Sequence, residues 1–190
     1  GVMKNGRRLV TKMLNASKYL LTILNDLDVD VDVLNNLEIT NKVDQSFLFK
    51  LNEVVNRASI AFEDLDYARS LEVSESIFWD FCDNYVEIAK SRAYGSQGVK
   101  QAQQAGATLL VALDTFTKLF APVIPFTCEE IYSWSHDESI HIQAWPKEKD
   151  ILGRISDKEI GVELYNYATD LSVHPRKYKT ENKISLKTEL

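Results

Sequence analysis

The chain has 190 residues, 45% hydrophobic and 26% charged, enough to bury a core in one ordinary domain or in one domain with a small appendage. Its net charge of −6 excludes a uniformly basic coat, so a polyanion could dock only on a local patch. No apolar run approaches the roughly 18 residues of a membrane-spanning helix and no secretory signal opens the sequence, so a cytoplasmic protein without a membrane partner is expected.

Glycine and proline are sparse and apolar residues recur at helical spacing, which predicts an all-α, antiparallel helical bundle. A first helix is expected from Lys4 to Leu24. On a wheel of about 100° per residue, Lys4, Arg7, Arg8, Lys12 and Lys18 share an arc of roughly 140°. Leu9, Val10, Met13, Leu14, Leu20, Leu21 and Leu24 fill the other side. Asn15 and Tyr19 lie within the cationic arc, placing an amide and a ring among phosphate-binding charges. That pattern suits RNA, although a solvated basic face on an ordinary amphipathic helix gives the same wheel. The acidic run from Asn25 to Asp32 reads as a connection. Counted from Asp26, it has Val31 and Leu37 where a calcium loop needs glycine and glutamate, so calcium is not expected.

A second helix is expected from about Lys42 to Phe62, with Val43, Phe47, Leu51, Val54, Ala58 and Ala61 as its core stripe and Asp44 in its first turn. The turn Glu63 to Asp66 leads to a third helix, Tyr67 to Tyr94, whose Phe78, Trp79 and Tyr85 are assigned to the core by spacing. Gly95 to Gly98 ends it. A fourth helix follows from Val99 to Phe120. Pro122 and Pro125 interrupt the pattern, and a fifth helix restarts over Pro125 to Trp134, with Glu129 and Glu130 favouring its N-terminal dipole. Ile140 to Gln143 alternates like an extended segment. Asp157 to Ser172 reads as helix, and Ile184 to Leu186 as a strand.

Catalytic signals are lacking: the sequence has no glycine-rich phosphate loop, metal-ligand spacing or nucleophile motif. The three histidines, His136, His141 and His174, are unpaired in helical register, and a structural role is expected for each. Cys82 and Cys128 stand far apart and read as reduced, packed thiols. Basic residues gather in the first helix and again in Arg176, Lys177, Lys179, Lys183 and Lys187, whereas acids collect between Asp26 and Glu38 and along residues 63–87.

The segment Arg8-Leu9-Val10-Thr11-Lys12-Met13-Leu14-Asn15-Ala16-Ser17-Lys18-Tyr19 resembles the opening helix of the anticodon-binding domain of class I aminoacyl-tRNA synthetases, in its valyl form, where Asn-Lys-Leu-Trp-Asn-Ala-Ser-Arg-Phe is common. Three blocks agree in order: Leu65 to Leu71 (LDYARSL), Phe78 to Glu87 (FWDFCDNYVE) and Leu119 to Tyr132 (LFAPVIPFTCEEIY). The ending Ser139 to Pro146 (SIHIQAWP) also agrees. The family's tryptophan is Leu14 here, and an aromatic of its second helix is Ser46.

The resemblance implies a bundle over residues 1–146 that grips a tRNA anticodon stem and loop. Residues 147–190 would then be a linker and the beginning of a C-terminal α/β module. It also implies that the chain is part of a larger ligase, whose catalytic domain handles ATP and magnesium through signatures absent here, with no cofactor in this part. Arg8, Lys12 and Lys18 would hold phosphates while Asn15 and Tyr19 meet anticodon bases; Lys90 and Arg92 would touch the stem. The valyl form is favoured over isoleucyl and leucyl forms by Asn15-Ala16-Ser17 and Gln143-Ala144-Trp145-Pro146. A protein-interaction bundle facing an acidic partner is the rival from another class.

Overall fold

A computed structural model describes residues 2–27 and 29–181, with side chains over 6–27 and 29–172. Its helices are α1 (Val2–Asp26), α2 (Val31–Asn36), α3 (Lys42–Glu63), α4 (Tyr67–Asp80), α5 (Val86–Ala93), α6 (Val99–Phe120), α7 (Pro125–Ser133), α8 (Glu148–Leu152) and α9 (Glu163–Glu181). The chain is an all-α bundle, and the strand expected at Ile184 to Leu186 lies outside the described residues.

Local chemistry sets the helix ends. The Asn41 side chain accepts from the backbone N–H groups of Val43 and Asp44 to open α3, and Asp66 accepts from Arg69 to open α4. Gly95 (φ 79°) and Gly98 (φ 85°) occupy the left-handed region, so the turn between α5 and α6 is one that glycine makes without strain. Asp30 accepts from the Asp32 N–H at 2.9 Å and caps α2, a short helix where the sequence suggested only a connection.

α3 is the hub, packed against α4, α6, α8 and α9. Its Phe47 is fully buried, stacks on Tyr85 at 4.0 Å between centroids and meets Phe81 and Tyr165. A second aromatic group joins Phe78 to Phe116 and Phe120. α1 lays Leu9, Met13, Leu20, Ile23 and Leu24 against α6 and α7. An added Cβ on Gly106 of α6 would stand 2.7 Å from Leu27 Cδ1, so this glycine permits the close approach at the end of α1.

Three expectations need correction. The helix over residues 67–94 contains a π-helical turn, Phe81–Tyr85, between α4 and α5. Ile140–Ile142 is a 3₁₀ turn rather than extended chain: Ile140 is buried, Ser139 caps the turn through the His141 N–H, and Glu129 Oε2 accepts from the Ile140 N–H at 3.0 Å. The final helix starts at Glu163 rather than Asp157, because residues 155–161 are tied to α3. Asp157 N–H donates to Gln45 Oε1, and Ser46 Oγ donates to the Gly161 carbonyl. Ser46, at the position where the resembling family has an aromatic, is thus a buried link that also accepts from the Tyr165 N–H.

Candidate nucleic-acid interface

Burying the apolar side of α1 leaves Arg7, Arg8, Thr11, Asn15 and Lys18 exposed in one ridge. Beside it runs a groove of about 210 Å³ toward the π turn and α5, lined by Lys12, Asn15, Tyr19, Cys82, Val86 and Glu87. Asn15 is exposed, and its amide makes no hydrogen bond among the described residues, so it does not bridge helices. Tyr19 is half-buried on the groove wall, with the Tyr94 hydroxyl 3.5 Å from its own. Burial, reinforced by Tyr94, pushes the Tyr19 hydroxyl above the usual tyrosine range and keeps it protonated.

Trp79 is the principal departure from the expected core. Phe78 and Tyr85 are buried, but Trp79 is half-exposed and serves as a platform beneath two cations of α1. Arg8 Cζ lies 5.4 Å and Lys12 Nζ 5.6 Å from its ring centroid. Lys12 also bonds Asp83 Oδ1 at 3.0 Å. On the opposite flank of α1, Lys18 Nζ lies 5.7 Å from the centre of Trp134, whose indole N–H donates to Glu130. Lys90 is exposed one turn from Glu87 and pairs with it at 3.4 Å.

Arg92 does not reach this surface, which removes it from the expected stem contacts. It turns inward, 7% exposed, and holds Asp44 with two hydrogen bonds of 2.8 and 2.5 Å. The Tyr85 hydroxyl donates to the same carboxylate at 2.7 Å. Burial opposes the Arg92 charge, but the hydrogen bonds and charge of Asp44 outweigh it and raise the guanidinium pKa. The network pins the end of α5, and with it the turn carrying Tyr94, to the start of α3.

Arg8, Lys12, Asn15 and Tyr19 therefore share one face, Lys18 flanks it and Lys90 lies at its α5 end. Sequence reasoning missed Trp79, Tyr94, Asp83 and Glu87. The signal for Asp83 was its position four residues after Trp79, one turn along the helix, but its partner on α1 is 71 residues away. Cys82, on the groove floor, is a free thiol pushed up to about 12 by burial, hence unreactive near neutral pH. Among the described residues, His, Cys, Asp and Glu form no group that could hold a metal ion, and no helix is long and apolar enough to cross a membrane.

Comparison with known proteins gives the family. The family model for the anticodon-binding domain of tRNA ligase matches residues 44–190. A valine-tRNA ligase of Thermobifida fusca is 39% identical over 99% of this chain and 20% of its own length. Those of Salinispora tropica and Leifsonia xyli are 36% and 42% identical over 98% and 76% of this chain, and 23% and 16% of their own lengths. The chain thus spans about a fifth of the length of the curated relatives it matches. With the bundle, the ordered motifs and a family match over most of the sequence in agreement, the chain belongs to the anticodon-binding domains of tRNA ligases.

Proposed function

We propose that this chain binds the anticodon stem and loop of a valine-accepting tRNA, as part of a cytoplasmic valine-tRNA ligase. The carrying observation is the groove wall on which the free Asn15 amide and the half-buried Tyr19 ring stand between exposed cations. An unstacked loop base needs such a ring to stack on and an amide to bond its edge, while phosphates need charge. Arg8, Lys12 and Lys18 hold the backbone, with Lys12 leaving Asp83 for a phosphate. Asn15 reads a base edge, Tyr19 stacks, and Trp79 offers a second ring. Lys90 meets the stem side. ATP and magnesium would be handled by the catalytic domain of the same ligase. Residues 1–146 carry the RNA role, while α8 and α9 pack against α3.

The test is fluorescence anisotropy with a labelled hairpin bearing a valine anticodon and an equal-length hairpin with those bases replaced. Wild-type chain binding the first more tightly supports the proposal; equal binding of both, or of neither, overturns it.

A further inference from the structure

The candidate face is less positive than α1 alone. A cavity of about 370 Å³ beside Trp79 is lined by Arg8, Glu75, Trp79 and Asp83, and Glu87 borders the neighbouring groove. Two of these acids hold a cation expected to bind RNA: Asp83 holds Lys12 at 3.0 Å, and Glu87 holds Lys90 at 3.4 Å. The side chains of Lys12 and Asp83 are 35% and 62% exposed, so their pair is solvated and exchangeable.

We infer that Asp83 is a specificity-determining residue of the RNA face: it withholds Lys12 from RNA docked through phosphates alone and yields it to a loop whose bases also engage the groove. The inference rests on the RNA-binding reading above. Phosphate contacts are blind to sequence, and their contribution grows with the number of cations free to neutralise them. Asp83 takes one such cation out of that count and adds a negative charge where a misplaced phosphate would lie. A cognate loop gains contacts at Asn15 and Tyr19 that offset the displacement of Asp83, whereas a mismatched loop has phosphates only. Discrimination then arises as much from what Asp83 repels as from what Asn15 and Tyr19 attract.

The experiment uses the full chain, the two hairpins named above, and KCl from 50 to 250 mM. Asp83→Asn should bind the replaced-base hairpin about threefold more tightly, or better, at the lowest salt, the valine hairpin by less, and so narrow the ratio between them. The salt slope for the replaced-base hairpin should steepen toward one further unit. Asp83→Glu, which keeps the charge, should retain the wild-type ratio and decides the matter if Asp83→Asn fails to fold. Glu53→Gln, at an exposed acid of α3, changes net charge equally and should leave the ratio unaltered. An Asp83→Asn variant that tightens both hairpins equally, or weakens both, overturns the inference while leaving the RNA reading intact. Failure of the wild-type chain to distinguish the hairpins overturns both.

Discussion

Two of the ion pairs that join distant parts of this bundle differ in nearly everything else. Arg92 and Asp44 are buried, doubly bonded and joined by the Tyr85 hydroxyl; Lys12 and Asp83 meet at 3.0 Å with both side chains partly solvated. A buried pair is held because either charge alone in the core is costly, so it fixes α5 against α3. An exposed pair gains little and exchanges with water and ions. The bundle thus has a rigid anchor inside and an interchangeable contact outside, and the outer one lies on the face proposed to meet RNA.

The largest expected effect tests the anchor. Arg92→Ala should destabilise the fold by about 3–5 kcal/mol by stranding the Asp44 carboxylate, lowering the melting temperature by roughly 10 °C. A loss under about 1 kcal/mol in a urea melt would show the buried pair to be no stronger than a surface one. Lys12→Ala, at the outer pair, should leave stability within about 1 kcal/mol. It should weaken both RNA hairpins similarly and flatten the salt slope by about one unit. Weakening confined to the valine hairpin would contradict a phosphate role.

Ser17 sits on the buried side of α1, and its hydroxyl has no hydrogen-bond partner among the described residues. Ser17→Ala should therefore be neutral or stabilising by up to about 1 kcal/mol in thermal melts; a clear loss would mean that the hydroxyl is satisfied.

A pH dependence gives a further test. Burial raises the Cys82 and Cys128 thiols from 9.0 to about 12, so both stay protonated in the fold after they would ionise in the open chain. Because the unfolded chain loses those protons first, stability should be full below pH 9 and decline as pH rises toward 12. Replacing both by alanine should make that decline shallower in urea melts between pH 8 and 10.5. An unchanged slope would contradict it.

Long helices were legible because their apolar stripes repeat: α3 and α6 run almost where the spacing puts them, and α7 begins at its proline. Short elements were not. α2 has six residues and an acidic surround, so it reads as a connection until the Asp30 cap is seen. The π turn inserts an offset in hydrogen bonding that leaves no compositional mark, yet it determines which residues of FWDFCDNY face inward. Spacing alone puts Trp79 in the core, because an aromatic stripe does not reveal which ring two cations will cover. Arg92 and Lys90 looked alike at the end of one helix. What separates them is Asp44, 48 residues upstream, and a pairing at that distance has no signature in a single sequence. The α1 face itself was readable, because its wheel depends on neighbours within five turns; the acids opposite it were not.

The most direct test compares wild-type chain with Asn15→Ala and Tyr19→Ala on the valine-anticodon hairpin and its base-replaced twin, after circular dichroism has shown the fold unchanged. Each substitution should weaken the valine hairpin by about 1–3 kcal/mol and the twin far less, so that the preference for the valine hairpin shrinks. If both variants fold and keep the wild-type preference, the face formed by Asn15 and Tyr19 does not read the anticodon.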